Sequence, residues 1–199
     1  MKPLSLLIMV VISLCASLCC PEEDDIFTNT EFVTNNGLIA VGNDESSFNV
    51  DDIIFIETSI ENNQTTTNGN AINLSDFTYS EIGQSRAFMN LVLYKETGFG
   101  SIVEIPLNQN SIEIINGEVT TNGEFIQVSS LYDGSGFRSR FGIKLLESGT
   151  YYLGGTGLLS FSGNGTVTIS IGVSELGFVN IDSSIVNADT QARYTFTVN

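Results

Sequence analysis

The 199-residue chain has no histidine and no tryptophan, and its three cysteines, at positions 15, 19 and 20, all fall within the first twenty residues. Without an imidazole there is no Ser-His-Asp or Cys-His arrangement, no HExxH zinc site and no proton shuttle working near neutral pH. Beyond Cys20 there is no thiol, so that part of the chain can form no internal disulfide, cysteine nucleophile or sulfur-ligated metal site, and packing alone must hold it. Cations are scarce as well: 7 Lys+Arg stand against 23 Asp+Glu, a formal charge of -16. Neutralising phosphates needs clustered cations, so nucleic acid is excluded as a partner. Phosphate-cradling loops are missing too. The nearest run, Gly154 to Gly157, has neither a following Lys-Ser/Thr pair nor a helix to supply a dipole.

What is present is apolar and aromatic. Residues of the hydrophobic class make up 42% of the chain, with 13 Phe and 6 Tyr. That is ample for a core, and the roughly 180 residues beyond the leader fit one domain.

The leader has the layout of an export signal: Lys2 supplies a positive n-region and Leu4 to Leu18 (LSLLIMVVISLCASL) an uncharged h-region. A spanning helix would want about 20 apolar residues with basic cytoplasmic flanks. Here the downstream flank is Glu22, Glu23, Asp24 and Asp25, and an uncleaved anchor helix is the competing reading. The stretch Ser17-Leu18-Cys19-Cys20 resembles the box of a bacterial lipoprotein signal peptide, which reads roughly Leu, small, small, Cys. The resemblance implies cleavage before a cysteine that then carries a diacylglyceryl thioether. Cys20 is the expected acceptor because the residue before it is small, with Cys19 as the alternative. The four acids suit a solvated tether, since like charges extend a linker and repel an anionic bilayer. They also resemble the export tag of surface lipoproteins in Bacteroidota-type bacteria, which implies an outer-membrane protein facing the cell exterior. Removing Lys2 with the leader leaves 6 cations against 23 acids, a charge of -17.

The expected organisation is thus a signal peptide at 1–19, a lipidated cysteine with an acidic and polar tether at 20–36, and one domain at 37–199. Phe27 to Asn36 reads as linker or as a first edge segment. From Gly37 onward Gly, Asn or Asp punctuates the chain every eight to twelve residues, with two-residue alternation between the marks. The strands read this way are Ile53 to Ile60, Ala71 to Tyr79, Ala87 to Tyr94, Ser101 to Leu107, Ser111 to Ile115, Glu118 to Thr121, Phe125 to Val128, Phe137 to Leu146, Thr150 to Leu153, Leu158 to Phe161, Thr166 to Val173, Phe178 to Asp182 and Ala192 to Val198. Asn116-Gly117 is the strongest two-residue hairpin signal, and Asn122-Gly123 marks a second turn. Pro106 lacks an amide hydrogen and belongs at an edge or a strand end. In Thr166 to Val173 one face is apolar and the other polar, so an all-β antiparallel sandwich is expected after the signal-peptide helix.

Leu146-Glu147-Ser148-Gly149-Thr150-Tyr151 resembles the tyrosine corner of immunoglobulin-like sandwiches. The resemblance implies an Ig-like, Greek-key arrangement in which Leu146 ends a strand, Gly149 turns and the Tyr151 hydroxyl bonds back to the corner. It also implies that the strands flanking the corner lie in opposite sheets. The inter-sheet cysteines and core tryptophan of that family are absent.

For chemistry, paired carboxylates are the only catalytic device left, because glycoside hydrolysis needs just two acids. Asp51, Asp52, Glu57, Glu104, Glu113 and Glu124 are available, yet each suits a strand or turn surface equally well, so no enzyme is expected. Calcium would find oxygen ligands at Asp44 with Asp51 and Asp52, or at Asp133. Ordinary turn chemistry explains both sites, and no cofactor is required. Exposed aromatics are the remaining option: Tyr132, Phe137, Tyr151 and Tyr152 lie near loops, and Tyr132 and Tyr152 are the candidate binding rings. Arg138 and Arg140 share a strand face and could receive an acidic group, or simply offset nearby acids. The expected partners are the membrane, through the N-terminal lipid, and an envelope protein or a glycan. The expected role is binding or envelope architecture.

Overall fold

A computed structural model of the protein describes residues 29–78, 85–159, 163–174 and 177–199. The described chain is all-β, with sixteen strands: β1 (Thr30–Thr34), β2 (Ile39–Val41), β3 (Ser47–Phe48), β4 (Ile53–Glu61), β5 (Asn63–Thr65), β6 (Ala71–Asn73), β7 (Arg86–Glu96), β8 (Ile102–Glu104), β9 (Ile112–Asn116), β10 (Glu118–Asn122), β11 (Phe125–Tyr132), β12 (Gly136–Lys144), β13 (Gly149–Gly154), β14 (Val167–Ser174), β15 (Gly177–Ser183) and β16 (Tyr194–Val198). Three short 3₁₀ turns are the helical content of the described residues, where no helix is long and apolar enough to cross a membrane.

Fourteen strands form one sheet with the central order β1-β15-β14-β7-β11-β12-β4-β2. That sheet curls until its ends meet: Ile39 of β2 bridges Ile185, just beyond β15, and Val186 donates its amide hydrogen to the Ile39 carbonyl at 2.8 Å. The inward side chains of both halves form a single apolar core, including Ile54, Ile56, Leu91, Ile126, Phe137, Phe141, Ile169, Ile181 and Phe196. The architecture is consistent with a β-sandwich.

The sheet is mixed, which corrects the expectation of a purely antiparallel one. β1 runs parallel to β15, and β3 runs parallel to β16. Both parallel strands come from early parts of the chain added to the edges of late ones, a long-range placement that alternation does not encode. The Phe27 to Asn36 region accordingly contributes β1 to the sheet, with Val33 in the core.

Local differences have local causes. Asn116-Gly117 is not a hairpin, because β9 pairs with β12 while β10 pairs with β11. Gly117, at φ 86°, is the pivot between the two pairings. A Cβ there would sit 2.8 Å from the Ser139 Cβ and 2.9 Å from the Ser129 carbonyl oxygen. The tight hairpin lies one turn later, where Asn122 opposes Phe125 across Gly123-Glu124. Ala71 to Tyr79 is not one strand. After Asn73 the chain makes a 3₁₀ turn at Leu74–Phe77, which buries Leu74 and Phe77 on one side while the Asn62 side chain holds the Ser75 amide at 2.8 Å. Leu158 and Leu159 fall in a turn, not a strand. The free edge of β10 is covered by the Gln109 amide, which donates to the Val119 carbonyl at 3.0 Å and accepts from the Thr121 amide at 2.9 Å. A side chain here imitates a neighbouring strand and blunts the edge.

Directions along the sheet fix the two ends of the molecule. β1, β7 and β15 point the same way, since β14 is antiparallel to both β15 and β7. Asn29 therefore emerges at the end where β7 begins. The β7–β8 loop, with Phe99 98% exposed at its tip, and the chain terminus after β16 lie at the opposite end.

Candidate functional site

The residues expected to form a binding patch are brought together only in part: Tyr132 packs on Phe137 of the strand that also carries Arg138 and Arg140, while Tyr152 lies elsewhere. Tyr132 ends β11, where its ring tilts against the fully buried Phe137 at 5.2 Å and its hydroxyl donates to the Gly134 carbonyl at 3.0 Å. Tyr152 sits on β13, paired with β7 and β16. There its hydroxyl donates to Glu96 at 3.1 Å, and the Arg193 guanidinium covers its ring at 4.6 Å. Burial, and then the Glu96 carboxylate, raise the Tyr152 phenol above its ordinary range. The clustering of Tyr132 with Tyr152 is thus corrected: β11 and β13 flank opposite edges of β7.

Arg138 and Arg140 do share the outward face of β12, and each faces acids of its own chain. Arg138 contacts Glu61 at 2.6 Å, the Ile60 carbonyl at 3.0 Å and Asp133 at 3.8 Å. Arg140 pairs with Glu57 at 3.1 Å and lies over the Phe55 ring at 5.5 Å.

Of the calcium candidates, Asp133, Asp52 and Asp51 are engaged by their own chain. Asp133 accepts from the Ser135 amide and hydroxyl, both at 2.8 Å, and from the Gly136 amide at 3.0 Å. Those bonds hold its carboxyl down at about 2. Asp52 accepts from the Asn49 amide at 2.6 Å, and Asp51 pairs with Lys144 at 2.9 Å. Asp44 lies in the left-handed turn after β2, with φ 63° at Asn43 and 52° at Asp44. Among the described residues no group of three or more acids could hold a metal ion. Of the six acids considered for hydrolysis, Asp51, Asp52 and Glu57 already hold these contacts.

At the corner, the Tyr151 hydroxyl donates to the Glu147 carbonyl at 2.8 Å while its ring stacks on Phe196 at 5.5 Å. Gly149 turns with φ 145°, and Leu146 is 60% exposed instead of closing the core. The flanking strands β12 and β13 share no ladder among the described residues, though both belong to the one curled sheet. Cys19, Cys20, Glu22, Glu23, Asp24 and Asp25 lie outside the described residues.

Two surfaces emerge that the sequence did not single out. The first is an open cleft of about 570 Å³ beside β2 and β4, floored by Phe55 and rimmed by Asn43, Asp44, Glu45, Glu57 and Arg140. Phe55 can lie flat there because Gly142 opposite it has no side chain; a Cβ would come within 2.4 Å of Ile53 and 3.0 Å of the Phe55 ring.

The second is the outward face of β10, β11 and β7. A shallow cleft of about 390 Å³ runs across it, lined by Arg86, Phe88, Asn90, Thr120, Gln127 and Ser129. Arg86 and Glu118 close one end as an ion pair, whose hydrogen bond lowers the Glu118 carboxyl and raises the Arg86 guanidinium. The alternation that sets Met89, Leu91 and Leu93 inward also turns Phe88 and Asn90 outward. Nothing in the sequence shows that β10 and β11 lie beside them.

No protein-family model, curated protein or solved structure matches the chain.

Proposed function

We propose that the protein is an exported lipoprotein, anchored through Cys20 and facing the cell exterior, whose β-sandwich acts by binding and not by catalysis. The observation that carries this reading is the passage from an apolar leader through Cys19-Cys20 into four consecutive acids, followed at Thr30 by the first strand of the sheet. Nine residues lie between Cys20 and Thr30, and the ten residue steps from one to the other span at most about 35 Å. A lipid on Cys20 would hold the sandwich near the bilayer by its Asn29 end and turn the Phe99 end outward.

Binding is favoured over hydrolysis because, in a histidine-free, thiol-free domain, Asp51, Asp52 and Glu57 are already held in ion pairs or a turn cap, whereas one broad polar face stays open. A glycan is the second reading, favoured by the exposed ring and amides on that face.

Replacing Cys19 and Cys20 together by serine should abolish palmitate labelling and move the protein out of the membrane fraction. Unchanged labelling of the double variant would overturn the anchor. Single variants then assign the acceptor, with loss expected for Cys20→Ser.

A further inference from the structure

We infer that the outward face running from β10 across β11, β7, β14 and β15 to β1 is a platform for a neutral oligosaccharide, with Phe88 as its stacking ring and the Ser129 hydroxyl at its floor. The inference rests on the binding reading above and names a ligand class and a place for it.

The register lays one straight row across six strands: Phe32 opposes Asn180, Asn180 opposes Ser170, Ser170 opposes Phe88, Phe88 opposes Ser129, and Ser129 opposes Glu118. Phe32 is 54% exposed and Phe88 is 49% exposed. Three strand steps separate these rings, about 14 Å at the usual spacing. Between them Ser170 donates to Asn180 at 2.9 Å, so the intervening surface is polar. Two residues along each strand a second row follows, with Thr34 opposing Asp182 and Asp182 opposing Thr168. On β7, β11 and β10 it continues as Asn90, Gln127 and Thr120. That row consists of hydroxyls, amides and one carboxylate, the last accepting from Thr168 at 2.9 Å.

Ser129 supplies an independent observation. It is only 8% exposed, it lines the cleft beside Phe88, and its Oγ has no hydrogen-bond partner among the described residues. A buried hydroxyl without a partner is rare and unfavourable, and a turn of the Ser129 side chain toward the cleft would let a ligand hydroxyl satisfy it.

The charge balance selects the ligand. Arg86 is already paired with Glu118, so among the described residues the face offers no free cation for an acidic ligand. Amides and hydroxyls that both donate and accept match a polyhydroxylated chain. An aromatic face carries negative quadrupole density that attracts the polarised C–H groups of a sugar ring. An apolar partner would instead bury the Asn90 amide and the rest of the second row's unused hydrogen-bonding capacity, which is unfavourable.

The test uses the full-length protein in detergent, run by affinity electrophoresis through gels containing β-glucan, xyloglucan, galactomannan or glycogen. Retardation by at least one of these is expected. Phe88→Ala should raise that dissociation constant about tenfold or more, and Ser129→Ala or Asn90→Ala should raise it severalfold, while Phe99→Ala leaves it unchanged. Circular dichroism melts confirm folding. If Phe88→Ala fails to fold, the Ser129 and Asn90 variants decide. Absence of retardation by all four polysaccharides overturns the inference, as does retention of full retardation by the folded variants. So does a sedimentation shift from dimer to monomer in Phe88→Ala without a sugar effect, which would make the face a contact between copies. Palmitate labelling of the same preparation separates the readings: labelled protein that binds no polysaccharide fails here alone, and unlabelled protein that binds fails only the anchor.

Discussion

Tyr151 carries three interactions at one position. Its ring stacks on Phe196, the Lys95 ammonium lies 5.3 Å from the ring centre, and its hydroxyl closes the corner on the Glu147 carbonyl. Tyr151→Phe keeps the first two and removes only the hydrogen bond, so it should cost about 1 kcal/mol, read by urea titration. A negligible change would show that water replaces the bond without loss. Tyr94 is the complementary case. Its side chain is fully buried, its hydroxyl donates to the Gly155 carbonyl at 2.8 Å, and burial first, then Glu104, pushes its pKa up to about 12. A phenol raised in the folded state contributes stability that is complete below its unfolded value near 10 and is lost as pH climbs through the folded one. Stability should therefore fall between pH 10 and 12, and Tyr94→Phe should flatten part of that fall. A wild-type curve that stays level across this window would contradict the assignment.

Among the elements, the β9–β10 connection shows how context overrides a strong local signal. Asn-Gly between alternating segments favours a two-residue hairpin. Here β12 takes β9 and β11 takes β10, so the same dipeptide becomes a crossing point packed onto Ser139. Gly117→Ala must place a Cβ at left-handed φ and against neighbouring backbone, so a loss of more than about 1 kcal/mol is expected in a thermal or urea melt. Gly123→Ala, which has no atom within 4 Å of the added carbon but also a left-handed φ, isolates the backbone part of that cost. Equal losses for the two would refute the packing role. β1 makes a related point. Its alternation is short, and only pairing with β15 at the far end of the sequence identifies it as a strand of the sheet.

For the molecule as a whole, one core inside a curled sheet gives a body with distinct ends, and the two ends differ in what they would meet if the chain is tethered by its start. Neutralising Glu22, Glu23, Asp24 and Asp25 together should reduce protease shaving from intact cells while leaving palmitate labelling intact. Equal shaving of both forms would discard the export-tag role. Alternating apolar residues are a local property, and so the longer strands between Ile53 and Val198, the inward faces of β4, β7 and β14 and the apolar leader were readable without coordinates, whereas alternation overstates strand character at Ala71 to Tyr79 and at Leu158 and Leu159. So were the missing imidazoles and thiols, which no fold can restore. Register and pairing depend on residues far apart in the chain, and these alone decided that Tyr132 and Tyr152 stand apart, that β1 and β3 join in parallel, and that Phe32, Phe88 and Ser129 share one row. The physical reason is that alternation specifies which side of a strand faces the core, while the neighbour across the ladder is chosen by packing of the entire chain.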